Sequence, residues 1–433
     1  MEENQPPLSS KISTVVPATS RRDENSAWHL SNMDLLVKLH YIRAVYFFIN
    51  DAALGLSICD LKEPMFLLLD DLAHLSGRIR VEESGRAFIK CNDAGVRIAE
   101  SHSDMILEEW FNQNGYSTED LVHDHMLGPD LGFSPLVFVK FTWFKCGGLC
   151  VGLSWSHVLG DAFSAFNFIN KWSQILSGQM PPKSLLMPNH KEAKFLHNSN
   201  SGNPISVKRA KIVEQHWLAT NDTKMGTHSF HINSEQLDHL VTSAFPCGEN
   251  QITNNPLYFE TLSALLWKYI ARIRGGSEPK IVTICTYGTD YRKIDDVPTN
   301  GLVLSIVEAN VVVGKSDVSD LAKLIAEEKK AENSIVEMLV EEKEGTEDFT
   351  VYGANLTFVN LEEAKIYEAN LNGQKPIVAN CSIHGVGNQG AVLVLPAPED
   401  NKGRMITVSL PENELDQLKD KLGGEWGVAS HLF

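Results

Sequence analysis

Ser154-Trp155-Ser156-His157-Val158-Leu159-Gly160-Asp161 stands where an apolar strand pattern hands over to a helical one. Upstream, residues 136–144 (LVFVKFTWF) and 149–155 (LCVGLSW) are two apolar runs separated by a Cys-Gly-Gly turn, and Gly147-Gly148 is a strong hairpin signal. Downstream, Phe163, Phe166, Ile169 and Trp172 recur at every third residue, as on one helix face. A hairpin feeding a turn and a helix predicts an α/β fold. A histidine at such a strand–helix turn can present its imidazole to a pocket, and an ordinary pKa of about 6.5 lets it accept a proton at neutral pH. Asp161, placed in the first helical turn, suits the positive end of the helix dipole. Taken alone, the H-x-x-x-D spacing fits a buried structural histidine better than a catalytic one.

The wider context points to chemistry. The chain resembles the BAHD acyltransferases, plant enzymes that move acyl groups from coenzyme A thioesters to alcohols or amines. Their signature H-x-x-x-D-G follows such a hairpin, and here Ala162 replaces its last glycine. Leu30-Ser31-Asn32-Met33-Asp34 is similar to the family's early L-S-x-x-D. Ser76-Gly77-Arg78 is similar to the end of its L-A-G-R-L segment, and residues 260–267 (ETLSALLW) to the helix opening its second half. The resemblance implies two chloramphenicol-acetyltransferase-like domains, each a mixed sheet with flanking helices, joined by a long crossover loop.

The second family signature, Y-E-A-D-F-G-W-G-K-P, is altered. The frame Tyr367-Glu368-Ala369 and Lys375-Pro376 is kept, but the core reads Asn370-Leu371-Asn372-Gly373-Gln374. The acidic charge and both aromatic side chains are gone. Replacing a large buried side chain by glycine costs several kcal/mol unless the loop repacks. The combination resembles the eceriferum-type, or glossy-type, branch of the family. Residues 38–48 (KLHYIRAVYFF), 145–150 (KCGGLC), 352–360 (YGANLTFVN) and 383–387 (IHGVG) carry that likeness.

What the branch resemblance implies is an accessory role in very-long-chain fatty acid elongation for cuticular wax. The implied partner is a ketoacyl-CoA synthase, the condensing enzyme of the endoplasmic reticulum elongase. His157 would then be a general base only if acyl transfer persists, and Asp161 would be structural. Two other readings stand beside it: an acyl-CoA-dependent O-acyltransferase using His157, and a holder of acyl chains without chemistry. Acyl-CoA is the candidate ligand, and no cofactor is implied.

Composition narrows the field. With 21% charged residues and a mean hydropathy of −0.14 the chain reads as globular. A net charge of −17 argues against nucleic acid and against adsorption to anionic lipid, since both need basic patches. Cysteines 59, 91, 146, 150, 247, 285 and 381 are odd in number and scattered, which fits reduced thiols. Their spacing offers no metal site. The first 28 residues carry no apolar signal segment, and no apolar run is long enough for a transmembrane segment. The expected location is the cytosolic face of the endoplasmic reticulum, peripheral through a partner, and otherwise the cytosol.

The expected organisation is an N-terminal domain over 1–185, a Pro-, Asn- and Ser-rich crossover over 186–210, and a C-terminal domain over 211–433. Residues 61–75 read as an amphipathic helix, 87–91 and 96–99 as a strand pair, and 281–287 (IVTICTY) as a buried strand. Residues 319–344 read as one long charged helix, and Gly423-Gly424 as the end of a last helix from Glu412. Arg292, just beyond the buried strand, is the expected partner of Asp161 by family likeness. Asn300-Gly301 is similar to a family G-N segment in reversed order. His384 and Trp155 read as structural.

Overall fold

A computed structural model describes residues 10–19, 26–179, 203–210, 216–245, 257–288, 297–398 and 403–425. Two mixed sheets carry the fold. The first has six strands in the order Ser10–Val15, Val96–Ser103, Val137–Phe144, Leu149–Ser156, Tyr41–Phe48 and Val378–His384. The second has seven, in the order Met225–Ile232, Arg404–Pro411, Ala391–Pro396, Leu356–Asn360, Ile281–Tyr287, Leu302–Glu308 and Lys330–Ala331. Val378–His384 comes from the second half of the chain, yet it pairs antiparallel with Tyr41–Phe48 of the first. That crossing locks the two halves together.

The opening stretch folds as its pattern predicts. Val137–Phe144 and Leu149–Ser156 pair antiparallel, and every residue of the second strand is buried. A strand covered on both faces has no polar side to alternate with, hence its continuous apolar run. The connection is a four-residue loop over 145–148 rather than a two-residue turn; Gly147 takes φ +84° there. The helix Ala162–Leu176 then packs on the sheet beside Ile58–Asp71, and the Trp172 indole donates to the Leu61 carbonyl at 2.9 Å. Tyr258–Arg274 covers the second sheet together with Val318–Glu327 and Glu412–Glu425.

Four expectations need correction. Residues 319–344 form two helices, Val318–Glu327 and Asn333–Glu342, separated by the strand Lys330–Ala331. The apolar positions show why: Leu321 and Ile325 enter the core under the second sheet, while Val336 and Val340 enter the other core. A single straight helix cannot serve both. Next, 87–91 and 96–99 are not a pair. Ala87–Lys90 joins a three-stranded sheet with Ala27–His29 and Arg78–Val81, whereas Val96–Ser103 lies in the six-stranded one. The last helix runs through Gly423 and Gly424 to Glu425. Asp161 is the N-cap of its helix and not a first-turn residue. Most of the 186–210 crossover lies outside the described residues. No described helix is long and apolar enough to cross a membrane.

Candidate active site

His157 opens a short 3-10 turn, His157–Leu159, directly after the strand Leu149–Ser156. Gly160 follows at φ +150°, and a β-carbon there would lie within 3.0 Å of Ser164 and of the Thr299 nitrogen, so only glycine fits. The Trp155 indole donates to the Gly160 carbonyl at 3.0 Å, tying the fully buried strand residue to the turn it precedes. Asp161 then caps the helix, accepting from the Ser164 N–H at 3.0 Å.

The 299–301 segment of the second half is stitched onto this turn. The Gly301 N–H donates to the other Asp161 oxygen at 3.1 Å, and the Asp161 N–H donates to the Thr299 carbonyl at 3.0 Å. The Ser164 hydroxyl donates to Thr299 O and accepts from Thr299 N, both at 3.0 Å. Asn300 spends its two amide hydrogens on the Asp34 carboxylate at 2.8 Å and the His157 carbonyl at 3.0 Å. Asp34 is held in turn by a capping box with Ser31. Arg292 lies outside the described residues.

The imidazole of His157 is 1% exposed. Its Nε2 meets the Tyr352 hydroxyl at 2.9 Å, and the two rings stack at 5.6 Å. Burial pushes its pKa down to about 4, so the ring is neutral at physiological pH. His40 lies next to it: the His157 N–H donates to the His40 carbonyl at 3.1 Å, and the His40 Nε2 accepts from the Val351 N–H at 3.0 Å. Burial, then the neighbouring His157, lowers His40 to about 3. Burial raises Asp161 to about 6 against the opposing pull of its N–H donors. A neutral imidazole can accept a proton in principle; what stands at its Nε2 is a tyrosine.

The altered second signature has repacked into a tight turn. Asn372 and Gly373 take φ +50° and +84°, and Leu371 and Gln374 exchange backbone hydrogen bonds at 2.9 and 2.8 Å. Two consecutive positive φ values are what an Asn-Gly hairpin turn requires. The Asn370 side chain accepts from the Gly373 N–H at 2.8 Å, and Asn372 donates to the Ala52 carbonyl at 3.0 Å. The Asn370 N–H donates to the Ser173 hydroxyl.

A cleft of about 1120 Å³ opens between the two edge strands Val378–His384 and Met225–Ile232, with Arg43, Thr118, His228, Asn380 and His384 among its lining. His157 does not line it, so this cleft and the candidate base are separate places. His384 is half-buried at its wall, its pKa pushed down to about 4 by burial. Among the described residues no cluster of three potential ligands could hold a metal.

Sequence reasoning therefore located His157 and Asp161, and it noted Asn300-Gly301 only as a reversed family segment, without the joint these residues form. It gave no role to Tyr352 or His40. The available signal was indirect: the runs 38–48, 352–360 and 383–387 converge here. Gly353 packs so closely on Gly387 that a β-carbon would lie 2.3 Å from its carbonyl oxygen, and a β-carbon on Gly385 would lie 2.7 Å from the Leu39 carbonyl.

Residues 9–423 match the family model described as the Transferase family. The Arabidopsis thaliana protein ECERIFERUM 2 is 42% identical across 97% of this chain and 99% of its own length. ECERIFERUM 26-like, from the same plant, is 36% identical across 96% of each chain. The crystal structure of vinorine synthase superimposes with a TM-score of 0.68 over 94% of this chain and 95% of its own, at 18% identity. The shared fold is the chloramphenicol-acetyltransferase-like pair of mixed sheets.

Proposed function

Because the chain belongs to the BAHD transferase family, in its eceriferum-type branch, we propose that it is an accessory component of very-long-chain fatty acid elongation for cuticular wax. It acts with a ketoacyl-CoA synthase at the cytosolic face of the endoplasmic reticulum, and extends acyl-CoA to the longest chain lengths without acyl transfer of its own. The observation that carries this reading is the second signature. Its acidic and aromatic side chains are replaced by an Asn-Gly turn with two consecutive positive φ values.

Charge supports recruitment by a protein and not by lipid. A net charge of −17 is repelled by anionic headgroups. The condensing enzyme would therefore supply basic residues facing a partly apolar patch on this chain.

One observation favours the alternative, an acyl-CoA-dependent O-acyltransferase: the His157–Asp161 turn is fully formed. In that reaction His157 would take the proton of the acceptor hydroxyl as it attacks the thioester carbonyl. Co-expression in a heterologous host separates the two. With a condensing enzyme the chain is expected to co-purify and to shift products to longer acyl lengths, and His157→Ala is expected to leave that shift largely intact. Loss of the long products in a folded His157→Ala variant would restore chemistry to the account. Elongation with no condensing enzyme present would end the accessory reading.

A further inference from the structure

The accessory reading leaves His157 unused, and it says nothing about what keeps a well-formed base idle. We propose that Tyr352 is a resident plug that occupies the acceptor's place and holds His157 out of reaction. The inference rests on that reading of the same site but is tested on the isolated protein, so the outcome of the elongation assay leaves it standing or falling on its own.

The geometry is that of a bound acceptor. A general base needs the acceptor hydroxyl within about 2.6–3.2 Å of its nitrogen. The Tyr352 hydroxyl stands 2.9 Å from His157 Nε2. No second hydroxyl can take that position while the phenol is there. Tyr352 is 0% exposed, its ring stacked on His157 and edge-on to His40 at 5.0 Å. From a further side the buried Tyr287 hydrogen-bonds its phenol.

The backbone that carries the plug is clamped. The Val351 N–H donates to His40 Nε2 at 3.0 Å, and the Gly387 N–H donates to the Tyr352 carbonyl at 2.8 Å. The Gly353 N–H donates to the Thr357 hydroxyl at 3.1 Å, and Gly353 itself lies at φ +84° against the Gly387 backbone. The loop cannot lift without breaking these contacts, and the ring cannot turn without displacing packed neighbours. The plug is also separate from the altered second signature, whose described contacts are with Ser173, Ala52 and Leu54. Of these two features, only the tyrosine meets the base.

Removing the side chain would leave a cavity with a polar wall, large enough for water. Water could then attack an acyl-CoA thioester carbonyl while His157 Nε2 takes its proton. Collapse of the adduct would expel the coenzyme A thiolate, which recovers the proton from the imidazolium, leaving a carboxylic acid and a free thiol.

The test reads access and chemistry together. Purified chain is treated with diethylpyrocarbonate, and carbethoxylation of each histidine is followed by peptide mass spectrometry. His29 and His102, whose side chains are 73% and 71% exposed, serve as internal standards. In the wild type, His157 is expected to react at least ~tenfold more slowly than these, as a group reached only through local opening does. Tyr352→Phe keeps the ring and should stay slow. Tyr352→Ala should bring His157 close to the standards and should release thiol from acetyl-CoA above the wild-type rate, with Tyr352→Ala/His157→Ala returning to that rate. If buried His74 becomes reactive in Tyr352→Ala, the variant has unfolded and Tyr352→Leu is read instead. Fast modification of His157 in the wild type overturns the proposal. So does a folded small variant in which His157 stays protected. Thiol release by the wild type that Tyr352→Phe abolishes would make the tyrosine catalytic and overturn it equally.

Discussion

Asp161 is the residue whose replacement separates structure from charge. Its two oxygens accept from Ser164 N at 3.0 Å and Gly301 N at 3.1 Å, one bond capping a helix and the other joining the two halves of the chain. Asp161→Ala loses a cap worth about 1 kcal/mol and strands a buried N–H at a cost of about 1–3 kcal/mol. Asp161→Asn keeps an acceptor oxygen and should be more stable than the alanine variant by roughly 1–3 kcal/mol. The carboxylate adds a pH dependence of its own. Burial raises its pKa from 3.8 to about 6, so the folded state binds the proton more tightly than the unfolded one. The stability this contributes is full below pH 3.8 and is lost as pH rises through 6. At pH 5, about one pH unit below the folded value, it amounts to about 1.4 kcal/mol, and at pH 7.5 to almost nothing. Asparagine has no such linkage. Urea unfolding at the two pH values should therefore show Asp161→Asn gaining about 1.4 kcal/mol on the wild type as pH rises. A difference that does not move with pH, or an alanine variant as stable as the asparagine one, would refute the reasoning.

Asp161→Ala should also unfold at lower urea than His157→Ala, because the His157 side chain meets Tyr352 and caps no helix; equal midpoints would count against the anchoring role. Asn300→Ala should cost about 1 kcal/mol by removing one donor from Asp34 and one from the His157 carbonyl, which keep Ser31 N–H and Gly160 N–H, and Asn300→Asp should cost more by setting a second carboxylate against Asp34; calorimetry of both variants checks the order. His40 and His157 are held neutral at about 3 and 4, below the 6.5 of an unfolded imidazole, so their contribution is present above pH 6.5 and is lost as pH falls toward 4. Each tenfold change in proton affinity is worth about 1.4 kcal/mol, so the two imidazoles outweigh the opposite trend of Asp161, and net stability should drop by several kcal/mol across that window. His157→Gln should flatten the drop in a pH series of unfolding curves. Glu332, 7% exposed, accepts the N–H groups of Ile205 and Ser206 at 2.7–3.1 Å; Glu332→Ala should speed limited proteolysis near 203–210, and an unchanged cleavage rate would deny it that holding role.

What could be read from the residues alone followed the range of the interaction. The hairpin, the turn at His157 and the helix behind it are local, and period and glycine placement announce them. The break inside 319–344 is set by pairing of Lys330–Ala331 with Ser305 and Ile306, and nothing in the charged run itself signals it. Tyr352 meets His157 across 195 residues of chain, a contact no spacing rule could suggest. The reversed Asn300-Gly301 order gave no sign of its role for a different reason. The joint needs one forked side-chain donor and one backbone N–H, and the observed order supplies both.

The two roles of the H-x-x-x-D segment can be told apart by atom. The joint between the halves uses the Asp161 carboxylate, the Asp161 N–H, the His157 carbonyl and the Ser164 hydroxyl. None of these is the His157 imidazole. The chemistry would use His157 Nε2, and that atom faces Tyr352. A chain that transfers no acyl group would still come apart at this turn without Asp161, Gly160 and the Asn300 amide. An intact motif is therefore evidence for the joint first, and for catalysis only where Nε2 is open to an acceptor.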